Sequence, residues 1–151
     1  MVVFNSRGEV LVGQRVNFKG SWQFPQGGID DPEDIIQAAN RELNEEVGIE
    51  KAILVSEYPE WVNYDFPATL KLNKNLKNFK GQTQKWFLLF WDKKAEDCKL
   101  DLDTREFSEV KFISFETCLD TIVPFKRSVY EKLLNFFLPE IKNYLGKLHS
   151  G

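Results

Sequence analysis

Residues 27–49 read GGIDDPEDIIQAANRELNEEVGI, and three glutamates crowd its second half within Arg41-Glu42-Leu43-Asn44-Glu45-Glu46. On a helix of 3.6 residues per turn, Glu45 stands about 60° from Glu42 and Glu46 about 40° on its other side. The three carboxylates therefore project from one face, about one turn apart. Like charges at that spacing destabilise a bare helix. A bound hard cation is the simplest compensation, because Mg²⁺ takes oxygen ligands and keeps several waters. The competing reading is a solvated acidic face, since exposed carboxylates need no special explanation.

The helix has its own start and stop signals. Asp31 can cap it, Pro32 fits the first helical position, and Glu33 and Asp34 put negative charge where the dipole favours it. Ile35, Ala39, Leu43 and Val47 follow at steps of four as a stripe for the core, and Ile36 is expected to broaden that stripe. Gly48 sits where a left-handed C-terminal cap belongs.

Gly27, five residues, Glu33, seven residues, then Arg41-Glu42-Leu43-x-Glu45-Glu46-x-Gly48-Ile49 resembles, without a departure, the signature of the Nudix hydrolases. The resemblance implies an α/β fold with a mixed central β-sheet sandwiched between helices. It also implies a divalent metal, Mg²⁺ or Mn²⁺, and hydrolysis of a nucleoside diphosphate linked to another group. Four further stretches narrow it: WQFPQGGID from Trp22, WVNYDFP from Trp61, GQTQKWF from Gly81 and VPFKR from Val123. These are similar to a subgroup holding the dinucleoside polyphosphate hydrolases and the bacterial RNA pyrophosphohydrolases.

By that resemblance, Glu42 and Glu46 are the principal metal ligands and Glu45 is ligand or general base. Arg41 orients a carboxylate such as Glu33, and Glu106 is the fourth carboxylate, brought from outside the helix. Arg105 stands where the subgroup has proline before that glutamate. Substrate contacts are implied for Arg15, Ser21, Tyr64, Gln82, Gln84, Lys85, Phe125 and Lys126, with Phe125 stacking on a base or acting as a hydrophobic staple of its helix. Gly27, Glu33 and Gly48 are structural positions of the motif. The wording looks slightly closer to the dinucleoside polyphosphate hydrolases, such as those acting on diadenosine tetraphosphate. An RNA 5′-pyrophosphohydrolase is the alternative, and a non-catalytic nucleotide-binding module is a remote one.

The totals agree with an ordinary globular protein. At 151 residues and 42% hydrophobic content, one Nudix domain over 1–151 is the natural division, with a sizeable core. A net charge of −3 argues against a broadly basic nucleic-acid surface, although bound cations can reverse the local field. Cys98 and Cys118 are isolated, which fits a reduced cytoplasmic protein. His149 is the single histidine and lies in the tail, so carboxylates and metal are left to do the chemistry. No segment reads as a signal peptide or a membrane span, and no stable protein partner is implied.

Along the chain, 1–5 and 9–15 read as strands of a hairpin turning at Asn5-Ser6-Arg7-Gly8. The subgroup carries several residues, including Tyr-Arg-Pro, before this point. Ala52 to Phe66 is β-rich. Lys71, Lys74, Lys77 and Lys80 stud a polar loop, which is either solvated or a flap steering polyphosphate. Trp86 to Trp91 and Phe107 to Phe115 read as strands. Pro124 to Leu138 reads as an amphipathic helix that Pro139 interrupts, with a shorter helical piece to Leu145.

Overall fold

Two short apolar strands, β1 (Val2–Phe4) and β7 (Phe87–Phe90), run parallel at the centre of a six-stranded mixed sheet. The computed structural model describes residues 1–16, 20, 22–26, 34–65, 81–100, 107–122 and 124–150. The sheet is ordered β3 (Trp22–Gln23), β2 (Val10–Arg15), β1, β7, β4 (Ile53–Glu57), and β8 (Phe107–Ile113) also pairs with β2. β5 (Val62–Asp65) and β6 (Gly81–Gln84) form a separate antiparallel ribbon.

Side chains alternate across a strand, so a strand buried on both faces must be apolar at every position. β1 and β7 meet that condition. Val2, Phe4, Val10, Val12, Leu88 and Phe90 face a core shared with α2 (Phe115–Thr121) and α3 (Arg127–Ser150). Val3, Leu11, Phe87 and Leu89 face a second core with Leu43 and Val47 of α1 (Ile35–Val47). The sheet is thus sandwiched between helices, as the fold class read from the motif requires. No helix among the described residues is long and apolar enough to cross a membrane.

The first hairpin turns on Asn5, whose Oδ1 accepts from the backbone N–H of Arg7 and of Glu9, both at 3.0 Å. Gly8 takes a positive φ of 76° there, which a side chain would resist. β2 pairs with β1 only at Phe4 and Val10, and its long partner is β8, from Val10–Ile113 to Arg15–Phe107.

Four details depart from expectation. The cap of α1 is Asp34, not Asp31: its backbone is extended, and its Oδ1 accepts from Gln37 N at 2.8 Å. Asp31, Pro32 and Glu33 lie outside the described residues. Ile36 is 44% exposed, and Ala38 is buried in its place. A step of four advances 400°, so the buried stripe winds by about 40° per repeat, and Ile36 falls outside it in the first turn. α2 was not anticipated; Ser114 caps it by accepting from Thr117 N at 3.1 Å.

Pro139 does not interrupt α3, which runs on to Ser150. A proline inside a helix costs about 3 kcal/mol or more. Phe137 and Ile141, on either side of it, are fully buried, and each such side chain contributes roughly 1.5–3 kcal/mol. Tyr144 and Leu145 pack on the same core, so the second half of α3 has reason to continue.

Both cysteines are free thiols. Burial pushes each up to about 12, and at Cys98 the neighbouring Asp97 and Glu96 add to the shift.

Candidate active site

The C-terminal half of α1 brings Arg41, Glu42, Glu45 and Glu46 together. Arg41 Nη1 donates to Glu42 Oε1 at 2.9 Å and to Glu45 Oε2 at 3.0 Å. One guanidinium therefore answers part of the repulsion that the spacing sets up, with the i to i+4 geometry that helices favour. The glutamates are graded by burial: Glu45 is exposed, Glu42 half-buried, and Glu46 only 6% exposed. Glu46 lies about 60° from Leu43 and next to Val47, at the seam between the acidic face and the core. The α-amino group of Met1, which donates to Pro25 O at 2.8 Å, feels its charge.

α1 ends on a left-handed Gly48 with φ of 71°. Its N–H donates to Asn44 O at 3.0 Å, and Ile49 N donates to Leu43 O at 3.3 Å. That motif satisfies the last carbonyls and holds the glutamate turn in register.

A second group lies where β2, β3 and the 3₁₀ turn Pro124–Lys126 meet. Lys126 is 8% exposed, and its Nζ donates to Oε1 of the buried Gln23 at 3.3 Å. Burial, and then the charge of Arg15, lower its ammonium to about 8. Arg15, at the end of β2, and Lys126 thus place two cationic side chains in one neighbourhood.

A third group is the β5–β6 ribbon, which pairs Tyr64 with Gln82 and Val62 with Gln84. Gln84 Nε2 donates to Gln26 Oε1 at 2.8 Å, and Trp86 Nε1 donates to Gln84 Oε1 at 3.1 Å. The ribbon is therefore tied to the residue just before Gly27. Lys85 Nζ donates to Tyr58 O at 2.8 Å and pairs with Glu57 at 3.1 Å, which anchors it to β4 and the residue after it.

Of the residues named from sequence, Ser21, Gly27, Glu33 and Glu106 lie outside the described ones, as does the lysine-studded loop. Tyr64, Gln82 and Phe125 are placed by their backbone. Gln23 and Gln26 were missed: they are neutral and sit among apolar neighbours, and the cue was that each interrupts the apolar run from Trp22 to Pro25 or ends it.

A model of the NUDIX domain matches residues 1–133. The chain belongs to the Nudix family. Curated proteins named RNA pyrophosphohydrolase resemble it. The one from a Nitratiruptor species is 43% identical over 134 residues, covering 87% of this chain and 83% of its own. One from Helicobacter pylori is 40% identical over 132 residues, with the same two coverages. Among solved structures, the E. coli dihydroneopterin triphosphate pyrophosphohydrolase superposes with a TM-score of 0.67 at 20% identity, over 87% of this chain and 89% of that one. A C. elegans Ap4A hydrolase complex superposes with a TM-score of 0.62 at 22% identity, over 90% and 94%. The two structures share the fold. This Nudix chain is an enzyme acting on pyrophosphate bonds.

Nudix hydrolases generally use divalent metal. The donors on α1 are all carboxylate oxygens, the set a hard cation takes. Among the described residues no three acidic, histidine or cysteine side chains converge closely enough to hold an ion. Arg41 draws Glu42 and Glu45 toward itself, and one oxygen of Glu46, Oε2, is buried and makes no hydrogen bond there. The donor chemistry fits a metal of this kind.

Proposed function

We propose that this Nudix enzyme hydrolyses the 5′-triphosphate end of RNA, releasing pyrophosphate and leaving a 5′-monophosphate. The observation that carries the reading is the 43% identity to an RNA pyrophosphohydrolase over most of both chains. The motif wording had leaned toward dinucleoside polyphosphates. The Ap4A hydrolase likeness, at 22% identity, speaks for the fold and leaves that preference without support.

Glu42 and Glu46, with Glu106, would hold Mg²⁺ or Mn²⁺. Bound there, the ion would supply charge neutralisation on the phosphate oxygens and help to activate the attacking water. The chain's own residues do the rest. Arg41 sets the orientation of Glu42 and Glu45. Glu45, the most exposed of the three, takes the proton of the attacking water. Arg15 and Lys126 bind the phosphate chain, with Ser21, Gln82, Gln84 and Lys85 along its course. Tyr64 and Phe125 stack on the leading bases, each contact being worth roughly 1–3 kcal/mol. The setting proposed for the reaction is the cytoplasm.

The test is a side-by-side measurement of kcat/KM on 5′-triphosphorylated RNA and on diadenosine tetraphosphate with Mg²⁺. We expect RNA to be preferred, pyrophosphate to be released, and activity to vanish with chelator and return with Mg²⁺ or Mn²⁺. Preference for the dinucleotide would overturn the substrate, and turnover in excess chelator would overturn the mechanism.

A further inference from the structure

An indole nitrogen can only donate, so it fixes the orientation of any amide it meets. Trp86 is 2% exposed just before β7, and its Nε1 donates to Gln84 Oε1 at 3.1 Å. The nitrogen of the Gln84 amide is thereby turned the other way, where it donates to Gln26 Oε1 at 2.8 Å. With its oxygen taken in turn, the half-buried Gln26 must point its own Nε2 onward. The three side chains form a one-way relay that begins in the core and ends on a donor. Among the described residues no acceptor meets that donor.

The root of the relay is held firmly. Trp86 meets Phe24 edge-on at 5.8 Å and Tyr130 edge-on at 6.0 Å. Gln84 sits opposite Val62, which is 5% exposed, in the β5–β6 ribbon. The Gln26 amide cannot reverse without breaking the bond to Gln84, and the Gln84 amide cannot reverse without breaking both of its own. A donor oriented in advance loses little freedom when a ligand arrives.

The neighbours of Gln26 tie its stretch to both charged groups of the site. Pro25, immediately before it, accepts at its carbonyl from the α-amino group of Met1 at 2.8 Å, and that group feels the charge of Glu46 on α1. Gln23, at the other end of the stretch, accepts from Lys126 Nζ at 3.3 Å. Three residues span at most about 10 Å, so the end of the relay is close to the cations Lys126 and Arg15.

We infer that Gln26 is a substrate-binding residue: its amide N–H donates to a non-bridging phosphate oxygen, with Gln84 and Trp86 as positioning residues that keep it a donor. This rests on the substrate carrying a polyphosphate, as proposed above. An RNA 5′-triphosphate and a dinucleoside polyphosphate present the same oxygens, so the contact holds for either.

The experiment measures kcat and KM on 5′-triphosphorylated RNA and on diadenosine tetraphosphate at saturating Mg²⁺, with the melting temperature of each protein. The proteins are wild type, Q26E, Q26M, W86F and W86F/Q26M. Q26E keeps the oxygen that Gln84 donates to and turns the outward donor into an acceptor, whereas Q26M removes the donor without adding charge. We expect both to raise KM about tenfold or more, with kcat within about twofold and the melting temperature of Q26E unchanged. W86F frees the Gln84 amide to turn over, and the Gln26 amide with it, so KM should rise several-fold. In W86F/Q26M the loss of the indole should add almost nothing to KM, because both changes act through one donor. Should W86F not fold, Q26E and Q26M decide the matter by themselves.

A wild-type KM in Q26E would mean that the relay only ties the loop to the ribbon, and a raised KM in Q26E with none in Q26M would mean general repulsion. Either result overturns the inference. Additive KM changes in W86F/Q26M would overturn the positioning role of Trp86. Turnover of diadenosine tetraphosphate alone would overturn the RNA reading and leave the Gln26 contact to be judged on that substrate. A wild type that turns over neither would overturn both.

Discussion

On the face covered by α2 and α3, rings pack against rings. Phe24 stacks on Tyr130 at 4.6 Å and meets Phe115 edge-on at 5.4 Å, while Phe4 meets Phe90 at 5.2 Å and Tyr144 at 5.6 Å. Tyr130 also accepts at its hydroxyl oxygen from Phe24 N at 3.0 Å. On the face covered by α1, the helix offers aliphatic residues and, at their border, the buried Glu46. The first face is held by shape and apolar area; the second gives up part of its burial to keep charge close at hand. Stability and chemistry are thus divided between the two sides of one sheet.

The sharpest break of that division is F137A, on the aromatic face. A buried phenylalanine cut to alanine costs about 3–5 kcal/mol. We expect a large drop in the denaturant midpoint, with kcat per folded molecule unchanged. A loss of kcat in the folded fraction would tie the aromatic face to the chemistry.

On the opposite face, E46Q keeps size and removes a charge. We expect turnover to fall on the order of a hundredfold or more, equivalent to about 2.7 kcal/mol. The melting temperature of the metal-free protein should hold or rise, because a like charge leaves the acidic face. Unfolding with intact specific activity would make Glu46 a structural residue instead.

The smallest expected effect lies beside β3, at Lys126. Burial holds its folded pKa near 8, against 10.5 when exposed. Between those values the unfolded chain binds more protons, so the burial penalty is fully present below about pH 8 and is relieved as pH rises toward 10.5. K126M should flatten that rise in stability, as urea titrations at about pH 7 and pH 9 would show, and should raise KM for triphosphorylated RNA. An unchanged pH slope would mean that Lys126 does not titrate in this window.

The α1 motif was legible because its charges and apolar steps share one helical period; Arg41, read as orienting a carboxylate such as Glu33, donates to Glu42 and Glu45. Its first turn was not, since Asp31 and Asp34 are chemically equivalent caps and a single hydrogen bond from Gln37 N to Asp34 marks the latter. The seven residues of α2 are too few for a period to show. Pro139 was misread because the rule for proline is local, whereas burial of Phe137 and Ile141 acts through the whole core. Gln23 and Gln26 carry no charge or spacing that marks them; they become visible once Lys126 and Gln84 are placed beside them. The ring of Phe107 lies so close to Gly13 that a Cβ there would stand 2.5 Å from it, and nothing in either stretch of sequence alone announces that contact.

The two thiols carry a consequence of their own. Both thiols are raised to about 12, but only Cys118 is fully buried, so a thiol reagent reaches it chiefly when the surrounding structure opens. Cys98 precedes Lys99, whose N–H donates to Val47 O at the end of α1, and Cys118 sits inside α2. Cys118 is therefore a built-in stopwatch for the loosening of the aromatic side, and the half-buried Cys98 is the faster-reacting internal reference.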